Sequence, residues 1–132
     1  REGDPLLRAK MRELQKEAVK RAGSSRRVPD ADVLITNPTH LAIALHYDAD
    51  TMNAPAVIAK GAGTLAQKMR EAAYRKGVPI VENRTLAQRL FRETGIDEGV
   101  PDDLYPVVAR LMAWVWVLRQ HRAAAGRAGQ AA

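Results

Sequence analysis

Residues Ile35 to Ile43 read ITNPTHLAI, and this stretch decides the architecture. Asn37-Pro38 is a turn signal. It sits between two runs of strand character, ADVLIT (31–36) and HLAIALHY (40–47). In the second run Leu41, Ile43, Leu45 and Tyr47 alternate with His40, Ala42, Ala44 and His46, the period of a pleated strand. The expectation is therefore two strands joined by a tight turn, with Asn37 at the bend.

Downstream, DADTMNAP (48–55) reads as a loop and AVIAK (56–60) as a third strand. Gly61-Ala62-Gly63-Thr64 opens a helix in which Thr64 and Gln67 have capping-box spacing, and Gly77 closes it before Val78-Pro79. PIVEN (79–83) is a fourth short strand. A second helix follows, with Thr85 and Gln88 repeating the capping spacing and Gly95 at its end. The shared TLAQ of 64–67 and 85–88 reads as two helix starts, since the flanks do not match. After the turn IDEGVPDD (96–103), a last helix is expected from about Leu104 to His121, with Leu111, Val115 and Leu118 on one side. Of its two tryptophans, on different sides, one is expected in the core and the other as a partly exposed anchor. AAAGRAGQAA (123–132) reads as a frayed tail.

Upstream, Asp4-Pro5 supplies an N-cap and a first-turn proline. Leu7, Met11, Leu14 and Ala18 then form a narrow apolar stripe on a charged helix, suited to packing on a partner or another copy rather than in a core. AGSSRRVPD (22–30) reads as a linker. The whole is an α/β domain: a small mixed sheet of four to five strands surrounded by helices, preceded by an amphipathic linker helix. The divisions are 1–28, linker helix; 29–121, globular domain; 122–132, flexible tail.

Composition narrows the function. The 132 residues are 46% hydrophobic, enough for one domain with a real core. Without cysteine there is no disulfide framework, thiolate metal site or cysteine nucleophile. The longest apolar stretch, Val107 to Leu118, is broken by Arg110 and falls short of the roughly 20 residues of a membrane span, so a soluble chain is expected. No charged-then-apolar leader opens it. The net charge of +6 is uneven: residues 1–27 carry nine Lys/Arg against four Asp/Glu, and residues 28–132 carry twelve against eleven. Basicity confined to a leading segment suits an arm on an anionic membrane, or simply a solvated helix.

Several motifs carry less than they promise. Gly61 and Gly63 precede a helix, but the third glycine of a dinucleotide fingerprint and the Gly-Lys-Ser/Thr of a P-loop are missing. His40, His46 and Asp48 suggest a metal, yet six strand residues put the two histidines roughly 20 Å apart. Pro38 removes Asn37-Pro38-Thr39 from glycosylation. No metal or cofactor is expected.

Asn37 remains. Ordinary deamidation needs the N–H of the next residue, which proline lacks. The competing route is open: the side-chain amide nitrogen attacks the Asn37 carbonyl carbon, closes a succinimide and expels Pro38. Holding an amide in a near-attack pose can contribute about 7–11 kcal/mol. Thr39 and His40 are the candidates for protonating the leaving nitrogen and stabilising the tetrahedral oxygen. A plain Asn-Pro turn is the commoner use of this pair.

NPTH between two strands, followed by APAVIAKGAG, GVPIVENRTLAQRLF and VPDDLYPVVARLMAWVW, resembles the cytoplasmic domain of the export-apparatus switch protein of bacterial type III secretion and flagellar export, the FlhB/YscU family. The resemblance spans residues 1 to about 120. It implies single-turnover self-cleavage between Asn37 and Pro38, with Asn37, Pro38, Thr39 and His40 as the site. It implies two pieces that stay associated, and a switch in the class of exported substrate. Implied partners are other export-apparatus proteins, exported substrates or a length-control protein. The implied setting is the cytoplasmic side of the bacterial inner membrane, with transmembrane helices ahead of this domain and residues 1–27 leaving the membrane along its anionic surface. The alternative is a basic α/β nucleic-acid-binding module with an inert Asn-Pro turn. An aromatic content of 5% and a near-neutral globular part argue against it, and no nucleic acid is expected as a partner.

Overall fold

Every residue of β1 (Val33–Asn37) is buried, which places it inside the sheet rather than at an edge. The computed structural model describes residues 4–38 and 40–131. With β2 (Leu41–His46), β3 (Ala56–Ala62), β4 (Ile80–Glu82) and β5 (Glu98–Gly99), the sheet has the order β4-β1-β2-β3-β5. β1 runs antiparallel to β2, from Val33↔Leu45 to Asn37↔Leu41, and parallel to β4, from Leu34↔Ile80 to Thr36↔Glu82. The sheet is mixed, as expected. Its fifth strand, two residues long, lies inside the run read as a turn and pairs Ala56↔Gly99 and Val57↔Glu98.

Both sheet faces are covered, so the central strands are apolar on both sides. Leu34, Ala42, Ala44, Ile58 and Ala59 pack under α2 (Thr64–Lys76) through Ala66, Met69 and Ala73. Val33, Ile35, Ile43, Leu45 and Val57 pack under α3 (Arg84–Glu93) and α4 (Tyr105–Ala131) through Leu86, Leu90, Val108 and Val115. From the sheet, Lys60 Nζ donates to the Phe91 and Thr94 carbonyls, 2.9 Å each, closing the end of α3. Among the described residues no helix is long and apolar enough to cross a membrane.

Several local expectations need correction. α1 (Pro5–Arg27) opens at Asp4, which accepts from the Leu6 and Leu7 amides as expected, but it runs through most of the presumed linker into a 3-10 turn at Val28–Asp30. Packing overrides the weak helix formers there: Val28 is fully buried and Arg27 pairs with Asp97 at 2.6 Å. Thr64 and Thr85 are not N-caps. They already lie within their helices, whose caps are Gly63, without a side-chain bond, and Asn83, whose side chain accepts from the Leu86 amide. α4 continues through Ala131 where a frayed tail was expected, and Arg122 donates to the Gly77 carbonyl at 2.8 Å. Both tryptophans are exposed, Trp114 at 47% and Trp116 at 64%. Buried Val115 lies between them, and a turn of about 100° per residue points both neighbours away from the core.

The stripe residues Leu7, Met11 and Leu14 are exposed, as is Leu6. The side chain of Ala18 lies outside the described residues.

Candidate functional site

The site is built where β1 ends. Asn37 closes the ladder with Leu41, leaving residues 38–40 as the connection. The His40 amide donates to the Asn37 carbonyl at 2.9 Å, a four-residue turn in which Pro38 takes the second position, where its fixed φ fits. Pro38 is half-buried and His40 exposed. Thr39 lies outside the described residues.

Two further backbone bonds fix the surroundings. The Gly63 amide donates to the His40 carbonyl at 3.0 Å, and the Asn83 amide donates to the Thr36 carbonyl at 2.9 Å. Gly63 has φ +58° and ψ −126°, a conformation that suits glycine. A Cβ on Gly61 would sit 2.7 Å from Leu65 Cγ and 2.8 Å from Met69 Sδ, so that glycine permits close contact between β3 and α2. The Gly-x-Gly thus serves packing and turn geometry.

Asn37 is only 6% exposed, and its Oδ1 is buried with no hydrogen-bond partner among the described residues. Leaving such an acceptor unmet costs about 1–3 kcal/mol. The carboxamide is enclosed yet not tied down through its oxygen, and it is followed by a residue without an N–H. The following residue therefore cannot attack the carboxamide through its backbone nitrogen.

The other polar candidates are engaged elsewhere. His46, at the far end of β2, places Nδ1 3.1 Å from Asp32 Oδ2. The same carboxylate accepts from the Tyr47 amide at 2.7 Å and pairs with Arg119 at 2.8 Å. Asp48 accepts from the Asp50 amide within its own loop. His40, His46 and Asp48 are therefore not brought together. A cleft of about 280 Å³ lies at that far end, lined by Tyr47, Ala54, Pro55, Tyr105, Ala109 and Met112, slightly below the usual range of small-molecule pockets.

Sequence reading missed Gly63 and Asn83. Gly63 was visible as part of a helix opening and of a phosphate-like motif, neither of which pointed to the turn. Asn83 reaches the turn through a parallel pairing that spans some 45 residues, which local pattern does not report.

Residues 1–115 match the profile of a family described as FlhB HrpN YscU SpaS. The chain is 44% identical over 126 residues to the flagellar biosynthetic protein FlhB of Salmonella typhimurium, covering 96% of this chain and 33% of that protein. It is 44% identical over 119 residues to FlhB of Bacillus subtilis, covering 90% of this chain and 33% of that one. It spans about a third of the length of these relatives. Its fold is similar to the crystal structure of the cytoplasmic domain of FlhB from Shewanella putrefaciens, with TM-score 0.73, 36% identity, and coverage of 79% of this chain and 80% of that one.

Proposed function

The chain belongs to the FlhB/HrpN/YscU/SpaS family, and from that premise we propose that it is the self-cleaving switch domain of a bacterial type III protein export apparatus. One observation carries the proposal: a buried Asn37 with an unpartnered Oδ1, held before Pro38 at a turn between paired strands. Asn37 Nδ2 attacks the Asn37 carbonyl carbon, the bond to Pro38 breaks, and the proton lost from Nδ2 is balanced by one gained at the proline nitrogen. Pro38 closes the competing deamidation route. Thr39 and His40 complete the site as aids to proton transfer. The event is irreversible and occurs once per chain, so the domain is not a turnover enzyme.

The fold tolerates the cut. β1 keeps its pairing to both β2 and β4, and its Val33, Leu34 and Ile35 are each completely buried. Exposing each would cost about 1.5–3 kcal/mol. The pieces 1–37 and 38–132 therefore remain one folded body. What changes is the surface: the Asn37–His40 restraint disappears, and the new Pro38 end can move until Gly63 holds the chain again. Other export-apparatus proteins, exported substrates or a length-control protein would read that altered surface as a change in the substrate class to be exported.

The domain acts on the cytoplasmic side of the inner membrane. The basic α1, with Leu6, Leu7, Met11 and Leu14 exposed, lies along an anionic leaflet. Binding to anionic vesicles should fall with added salt and vanish without residues 1–27; binding that survives the truncation rejects this role.

The deciding experiment is mass spectrometry of freshly refolded chain. Cyclisation releases a 1–37 piece one water lighter than the hydrolytic product, which later opens to C-terminal asparagine and its isomer. An intact mass after long incubation, or a hydrated piece from the start, rejects the proposal.

A further inference from the structure

We propose that the backbone N–H of His40 is the oxyanion donor for the cyclisation and that Gly63 holds it in place; this rests on the self-cleavage reading above. When Nδ2 of Asn37 adds to the Asn37 carbonyl carbon, the carbonyl π pair moves onto the main-chain oxygen. That oxygen already accepts the His40 N–H at 2.9 Å in the uncut chain, so the donor stands beside the atom on which the charge develops. As the tetrahedral intermediate forms, the bond becomes charge-assisted and roughly twice as strong as its neutral form. It therefore strengthens as the barrier is climbed, the condition for catalysis rather than mere binding. Collapse returns the pair to the carbonyl and breaks the bond to Pro38, whose nitrogen is protonated as Nδ2 loses its proton. No water or other reactant enters.

The donor is preorganised from outside the turn. His40 is gripped on its carbonyl by the Gly63 amide at 3.0 Å. Gly63 also caps α2, its own carbonyl accepting from the Gln67 amide at 3.1 Å. The turn is thus moored to the head of a 13-residue helix packed on the sheet. Among the described residues nothing lies within 4 Å of where a Gly63 Cβ would stand, and the φ of +58° is what favours glycine there. His40 consequently has two separable contributions. Its exposed imidazole can relay a proton, while its main-chain N–H is fixed on the reacting oxygen.

Backbone esters test this directly. Full-length chain would be assembled by ligation under denaturant and refolded, with release of the dehydrated 1–37 piece followed by mass. Replacing the His40 N–H by an ester oxygen should slow release about 100-fold. An ester at Gly63 removes the mooring bond but keeps the donor, and should slow release no more than about 10-fold. Melting temperatures of both esters, measured in the Asn37→Ala background, should be alike. His40→Ala keeps the N–H and loses the imidazole, so added imidazole should restore part of its rate, whereas it should not restore the rate of the His40 ester. Equal slowing by the two esters, or a His40 ester that cleaves within about threefold of wild type, overturns the proposal while leaving self-cleavage intact. A wild-type chain that releases no dehydrated piece overturns the reading beneath it instead.

Discussion

Two asparagines stand at the ends of neighbouring parallel strands, and their surroundings differ. Asn83 follows β4 and Asn37 ends β1; the Asn83 amide reaches the Thr36 carbonyl, one residue before Asn37. The Asn83 side chain accepts from the Leu86 amide at 3.1 Å and caps α3. The Asn37 oxygen is buried with no partner among the described residues. Asn83 precedes Arg84, which has an N–H, whereas Asn37 precedes Pro38, which has none. Residue type and place in the sheet are nearly the same, so neither sets the chemistry. What differs is whether the side-chain oxygen is committed to a hydrogen bond, and which backbone nitrogen follows it.

The largest effect should come from the uncommitted one. Asn37→Ala removes the proposed attacking nitrogen, so the chain should stay intact, whereas wild type should separate under denaturing conditions into 1–37 and 38–132 while migrating natively as one species. Because the lost oxygen had no partner, stability should change by no more than about 1 kcal/mol. Asn37→Asp should also cut far more slowly, since an ionised carboxylate is a poor nucleophile toward its own amide carbonyl. Normal cutting of Asn37→Ala would point to an outside protease.

Pro38→Ala makes Asn37 resemble Asn83 in its following residue. The restored N–H opens the deamidation route, so mass spectra should show reduced cleavage together with a one-dalton gain at residue 37 in part of the uncut chain. Cleavage at the wild-type rate with no deamidation would mean that proline does not choose the route.

Asn83→Ala reverses the comparison. It removes a helix cap, a loss of about 0.5–2 kcal/mol. Denaturant midpoints should fall accordingly, while the cut still occurs at the Asn37 bond. If Asn83→Ala abolished cutting without lowering the midpoint, it would belong to the reaction and not to the scaffold.

The contrast also marks what the sequence could and could not tell. The strand-turn-strand around Asn37 was legible because alternation and an Asn-Pro pair are local signals, and the helices around 64–76 and 84–93 followed from capping-box spacing with glycine ends. The caps were misplaced because Thr64 and Thr85 offer the right spacing, and only the fold shows that Gly63 and Asn83 already occupy the cap positions. The run 22–27 was read as a linker because Gly23, Ser24 and Ser25 are weak helix formers, while the ties beyond it, Val28 in the core and Arg27 on Asp97, are tertiary. The chemistry of Asn37 was legible as a possibility; its unmet oxygen and the Gly63 mooring required long-range pairing.

The smallest effect belongs to a contact that holds the two pieces together at the surface. Arg27, on the 1–37 side, pairs at 2.6 Å with Asp97, on the 38–132 side. Asp97 sits at φ +69°, which asparagine also tolerates, so Asp97→Asn removes the charge while keeping the backbone. The hydrogen bond from Arg27 holds the Asp97 carboxyl below its usual value, against a smaller opposing effect of burial. A carboxyl depressed on folding stabilises the fold fully above its unfolded pKa and loses that contribution as the pH falls through its folded pKa. Both side chains are substantially exposed, 39% and 63%, so the pair should contribute less than about 1 kcal/mol at neutral pH and less in salt. Comparing urea midpoints of Asn37→Ala with and without Asp97→Asn should show a small gap at pH 7 that closes in acid. A gap that persists below the depressed pKa would assign the loss to the asparagine side chain rather than to the charge. The severed pieces would then be held by buried β1, by Val28 in the core and by the contacts of Asp32 with His46 and Arg119, with no measurable help from the Arg27 pair.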